Sequence, residues 1–171
     1  MKHFAFAAAL AASIVLPAAA SAQDATASMI NAEGQQIGTV SFMTTESGQI
    51  HVITEVTGIP AGAHGFHIHE TGVCDPATGF ESAGGHYAGG KDHGVMAANG
   101  PHAGDLPNVS AATDGVLKAE HFTDRFSLAE GGENPLKDAD GSAVVIHANA
   151  DDYASQPSGE AGGRIACGVI E

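Results

Sequence analysis

Basic side chains are scarce in this sequence, with 6 Lys+Arg against 20 Asp+Glu and a formal net charge of −14. Nucleic acid and anionic membrane surfaces both need basic patches, so this balance argues against either as a partner. The acidic residues are scattered rather than run together, which reads as solubility. Long apolar runs are missing once the first residues are passed. The chain opens MKHFAFAAALAASIVLPAAASAQD, with one apolar stretch from Phe4 to Leu16 and Pro17 directly after it. That stretch is too short for a comfortable membrane span. Ala20-Ser21-Ala22 is a small-residue cleavage pattern. Residues 1–22 are therefore expected to be a secretory signal peptide, and residues 23–171 one exported domain with no membrane attachment after cleavage. A domain of that length can bury a real core.

Cysteine is nearly absent too: Cys74 and Cys167 are the only two, and no CxxC occurs. In an exported chain one disulfide between them is the default, with two free thiols or two metal ligands as the alternatives. A bridge would close a loop of more than 90 residues. Chain-entropy models give such a loop roughly 4–5 kcal/mol. Aromatic residues make up 5% of the chain and leave little to mark an interface, so composition does not decide the oligomeric state.

Histidine is what the chain has in excess, with nine of ten lying after residue 22. Helical periodicity is absent there. Short β-branched segments recur instead, separated by Gly, Asp, Asn and Pro. They predict strands near residues 25–31, 36–45, 49–57, 64–70, 107–112, 115–122, 143–149 and 164–170. Val40 alternates with Phe42 and Ile50 with Val52, as half-buried antiparallel strands require. Many short strands with glycine-rich connections mean an all-β sandwich or barrel. Two connections are long, residues 71–105 and 150–163, and long connections in a compact domain are usually functional.

In GFHIHETGVC, residues 65–74, His67 and His69 sit at i and i+2 of a strand and project to one face. His147 in VVIHAN lies on another expected strand, and the first long connection carries His86, His93, His102 and Asp105. Several imidazoles with one carboxylate suit zinc or copper, whereas calcium and magnesium prefer oxygen cages. Seven ligands exceed one tetrahedral ion and suggest two sites.

GFHIHE, SAGGHY, HAGDLPN, VVIHANADD and GRIACGVI occur in order across nearly the whole chain after residue 22. Together they resemble the copper/zinc superoxide dismutase family in its bacterial periplasmic type. The resemblance implies an eight-stranded Greek-key β-barrel or flattened sandwich, all-β, with two long functional loops. It implies copper on His67, His69, His86 and His147, with His86 bridging to a zinc on His86, His93, His102 and Asp105. Asp151 would orient His67 and His93, Arg164 would guide the anion, and Cys74–Cys167 would be the intrachain disulfide that positions Arg164. The implied reaction is dismutation of superoxide to dioxygen and hydrogen peroxide by a redox-cycling copper beside a structural zinc, with Arg164 and His86 as catalytic residues. A homodimer stays open, and export fits a bacterial periplasm best. The alternative is an exported copper/zinc-binding carrier on the same barrel.

One departure stands out. His86 and His93 are seven apart, in HYAGGKDH, where the family pattern has eight, and Ala88-Gly89 replaces an Asn/Asp-Pro pair. A shorter, more flexible zinc loop is the expectation. The connection over residues 150–163 contains no lysine, which leaves Lys91 as the expected steering cation. His51 and His121 are expected at the surface, His64 in packing and hydrogen bonding, and Asp152 as a solvated loop charge.

Overall fold

The computed structural model describes residues 24–171, so the signal peptide expected over residues 1–22 lies outside the described residues. The strands are β1 Ala25–Asn31, β2 Gln36–Thr44, β3 Ile50–Val56 and β4 Gly62–His69, then β5 Asp105–Ala111, β6 Leu117–Thr123, β7 Ala143–His147 and β8 Arg164–Val169. They close into one antiparallel barrel in the order β1-β2-β3-β6-β5-β4-β7-β8. Because β3 pairs with β6 and β4 with β7, the β3–β4 and β6–β7 connections cross the barrel ends in Greek-key fashion.

Alternation builds the interior. On β1, Ala25, Ala27 and Met29 are buried; on β2, Val40 and Phe42; on β3, Ile50, Val52 and Val56. In the pairing of β2 with β3, Phe42 lies opposite Val52, so inward side chains meet on one face. Strands β4 and β7 break the alternation. All five residues of β7 are buried, as are the last six of β4. Ile68, Val144 and Ile146 join the barrel core, whereas Val145 packs with Phe80, Ala83 and Cys167 in a second cluster. The two long connections fold over the outer faces of β4 and β7. That cover is what buries His67, His69 and His147.

The first long connection has structure of its own, with 3₁₀ turns at Pro76–Thr78 and Glu81–Ala83. Asp75 caps the first turn by accepting from the Ala77 N–H at 2.9 Å. Cys74 and Cys167 form a disulfide with Cα atoms 5.7 Å apart, tying this connection to β8. Asp105 is not in the loop, as the sequence suggested, but opens β5 opposite His67 on β4. The extended pairing begins earlier because Ile68 donates to the Gly104 carbonyl.

Two surface expectations change. His121 is half-buried, with its ring 5.8 Å from that of Phe66, because Leu117, His121 and Thr123 share the inward parity of β6. Phe122 takes the exposed position instead. His51 does point outward, but it stacks on Phe122 with centroids 4.4 Å apart and bonds Glu120 at 2.8 Å.

Candidate metal centre

Strand β4 presents His67 and His69 outward, while Phe66 and Ile68 face the barrel core. His147 ends β7, the neighbouring strand, and His86 pairs with His69 in an isolated bridge. One ring nitrogen from each of His67, His69, His86 and His147 lies within 4.8 Å of the others, and all four residues are buried. A second group shares His86: His86, His93, His102 and Asp105, equally close and equally buried.

Hydrogen bonds settle which nitrogen each ring offers. His69 Nδ1 donates to the Gly84 carbonyl at 3.0 Å, and His147 Nδ1 donates to the Gly162 carbonyl at 3.1 Å. Carbonyls only accept, so in the neutral rings both Nε2 atoms carry lone pairs. Those two lone pairs face each other at 3.3 Å. His67 Nε2 donates to Asp151 Oδ2 at 2.9 Å, which leaves a bare Nδ1, buried and without a partner. His86 Nε2 is buried and unpartnered in the same way. Converging lone pairs with no proton between them repel, and a soft or borderline cation relieves that repulsion.

The second group makes the same demand. Asp105 Oδ2 accepts from the backbone N–H groups of Gly94 (2.8 Å) and His102 (3.0 Å). Oδ1 is left facing His86 Nδ1 (3.1 Å), His93 Nδ1 (3.1 Å) and His102 Nδ1 (3.2 Å). His93 Nε2 already donates to Asp151 Oδ1 at 3.0 Å, so a neutral His93 points a lone pair at a carboxylate oxygen. Three nitrogens and one oxygen brought this close are the kind of donor set that a tetrahedral zinc takes.

The electrostatics agree. Burial drives His86 down to about 4 against the pull of Asp105, and burial beside His67 drives His147 down to about 3. Burial and the neighbouring His86 hold His69 well below its ordinary value. These rings are therefore neutral at pH 7, with lone pairs free for a cation. Burial also opposes charge on His93, but its bonds to Asp105 and Asp151 outweigh that and raise its pKa. Burial would raise both carboxylates, yet the histidine contacts hold Asp105 far below the carboxylate range and Asp151 at about 2.

Asp151 spans the two groups, with one oxygen on His67 and the other on His93. Arg164, the first residue of β8, donates from Nη1 to the Phe80 carbonyl (2.7 Å) and from Nη2 to the Gly84 carbonyl (2.6 Å). The Gly84 carbonyl thus holds both His69 and the guanidinium. Glu81 adds an ion pair with Arg164 at 3.3 Å. Arg164 lines a shallow opening with His69, His86, His147, Pro157 and Gly162. Lys91 lines a different depression, beside Arg125, Glu133 and Asn134, and is not part of that opening.

His64 takes no place in either group. It bonds the carbonyls of His147 (2.8 Å) and Pro60 (2.7 Å). Asp152 caps the following turn through Ala154 and Ser155.

Three supporting residues carried no sequence signal. Asn108 accepts from the Asp151 N–H at 2.8 Å and donates to the Asp151 carbonyl at 2.9 Å. Gln156 treats the His93 backbone in the same way, and Arg125 donates to the Asp105 carbonyl. Asn108 falls in an expected strand and Gln156 beside Pro157, and neither residue type by itself points to a metal site.

A family model described as copper/zinc superoxide dismutase matches residues 36–170. Superoxide dismutase [Cu-Zn] 2 of Aquifex aeolicus is 44% identical over 165 residues, covering 94% of this chain and 95% of that protein. Superoxide dismutase [Cu-Zn] of Caulobacter vibrioides is 41% identical over 150 residues, covering 86% and 85%. The crystal structure of a SOD-like protein from Bacillus subtilis superposes with a TM-score of 0.79 at 37% identity, covering 84% of this chain and 96% of that one.

Proposed function

Because the chain belongs to the copper/zinc superoxide dismutase family, we propose that it dismutates superoxide with copper on His67, His69, His86 and His147 and zinc on His86, His93, His102 and Asp105. The carrying observation is the set of lone pairs that converge once each opposite ring nitrogen has given its proton to a carbonyl or to Asp151. Bound copper supplies a one-electron couple that turns two superoxide anions and two protons into dioxygen and hydrogen peroxide, while redox-inert zinc supplies fixed charge.

The residues around that couple have separate tasks. Arg164 presents a guanidinium whose orientation is set by two carbonyls, and it binds the small anion in the opening. His86 Nε2, buried and unpartnered, is the atom placed to hold a proton for the departing peroxide. Asp105 keeps Nδ1 of the same ring fixed. Asp151 fixes His67 through one oxygen and His93 through the other, so a single carboxylate orients one ring in each group.

The Cys74–Cys167 disulfide suits an oxidising compartment, which supports export, with the periplasm as the proposed location. A carrier on the same barrel would leave the two-carbonyl placement of Arg164 without a task. The test is superoxide consumption by the chain loaded with both metals. His147→Ala should abolish dismutation while zinc stays bound. Arg164→Ala should keep both metals and lower kcat/KM on the order of tenfold, the scale of local steering by one fixed cation. Full metal loading without dismutation in the parent would favour the carrier.

A further inference from the structure

We propose that Gln156 is a positioning residue of the zinc site, clamping the His93 peptide so that His93 Nδ1 stays on Asp105. This rests on the reading of His86, His93, His102 and Asp105 as zinc ligands.

His93 is fully buried and lies outside every strand, so its backbone polar groups have no ladder to join. Gln156 supplies one. Its Oε1 accepts from the His93 N–H at 2.9 Å, and its Nε2 donates to the His93 carbonyl at 2.8 Å. A primary amide offers both a donor and an acceptor, so this one side chain copies the rung of an antiparallel pair. The ring is then held by the same segment, since His93 Nε2 donates to Asp151 Oδ1. The shorter His86–His93 interval therefore does not leave His93 loosely held.

Backbone packing shows how tightly the segments meet. Gly94 has φ +84°, and a Cβ there would lie 2.1 Å from the Tyr153 carbonyl oxygen. Gly159 has φ +69°, and a Cβ there would lie 1.8 Å from Asp151 Oδ1 and 2.6 Å from His93 Nε2. Only glycine permits both approaches. Pro157 and Ser158, next along the chain, line the opening over His69, His86 and His147. One amide thus ties the rim of the opening to a zinc ligand. Gln156 is itself exposed, so its truncation opens no cavity in the core.

The test compares the metal-loaded parent with Gln156→Ala and Gln156→Glu by zinc transfer to a chromogenic chelator and by the visible spectrum of cobalt(II) in the zinc site. Copper content and melting of the metal-free chain are measured alongside. Glutamate keeps the size and the acceptor but cannot donate to the His93 carbonyl. Both variants should release zinc about 10- to 100-fold faster than the parent, the usual range for outer partners of metal ligands. The cobalt spectrum should change, with copper content and metal-free melting unchanged. A parent that takes up no zinc overturns the reading of the site and this inference with it. A parent that holds zinc, with variants that release it at the same rate, overturns the inference alone. So does faster release accompanied by equal loss of copper and a lower metal-free melting temperature.

Discussion

Asp151 does the work of two residues, because its two oxygens serve rings from different metal groups. Oδ2 holds His67 and Oδ1 holds His93, while Asn108 pins its backbone from both sides. Asn at this position could accept at one oxygen only, and its amide would meet the N–H of the other ring. Asp151→Asn should therefore weaken both sites, each by about 10- to 100-fold. Competition with chelators of graded affinity reads this out, and loss confined to one metal would contradict the shared role. Of the residues in the two groups Gln156 bonds only His93 and should affect zinc alone, so the two variants separate what each group contributes. His93 is the ring most dependent on neighbours, held at both nitrogens and both backbone atoms.

Among the elements, β8 and the connection after β4 form one unit through the disulfide. Cys167 lies on β8 three residues from Arg164, and Cys74 begins the segment whose Phe80 and Gly84 carbonyls hold that arginine. Phe80, Ala83 and Cys167 pack in the small cluster outside the barrel, so the bridge also seats the segment on β7. Replacing both cysteines by serine should cost about 2–5 kcal/mol of stability, since the link closes a long loop. It should also lower kcat/KM with both metals retained, because Arg164 loses its fixed carbonyls. Thermal melting and steady-state rates on the double variant measure the two effects. Unchanged kcat/KM would mean that the 3₁₀ turns hold the segment without help.

The whole molecule buries neutral imidazoles and charged carboxylates in one place, and that makes its metal-free stability depend on pH. His69, His86 and His147 have folded pKa values below the ordinary 6.5, at about 4 for His86 and about 3 for His147. Between those values and 6.5 the unfolded chain binds more protons, so stability is lost as pH falls through that window. Each such ring contributes a slope of about 1.4 kcal/mol per pH unit. His93, with its raised pKa, has the opposite sign, and its contribution is lost above 6.5, as pH rises through its folded value. Asp105 and Asp151 add a further loss below their ordinary 3.8. The melting temperature of the metal-free chain should therefore fall steadily from pH 6.5 to 4, and bound metal should raise it at pH 6.5 without flattening the profile, since metal binding itself requires unprotonated rings. A flat profile for the metal-free chain would contradict neutral buried rings.

Much of this was legible in the chain itself. Alternating Val40 and Phe42, Ile50 and Val52 prescribe half-buried strands, because side chains two apart share a face whatever the fold. His67 and His69 share a face for the same reason, and ordered motifs identified the family. The same parity rule, carried along β6 from Leu117, would have turned His121 inward. Tertiary structure decided the rest. Asp105 became a strand residue only because β4 was there to pair with it. Lys91 lies apart from the opening because the folded loop carries it to a different depression. Gln156 and Asn108 acquire their roles only where distant backbone arrives with buried, unpaired N–H and carbonyl groups. Periodicity is local and therefore written in sequence. The partners of a buried polar group are set by which segments the closed barrel brings together.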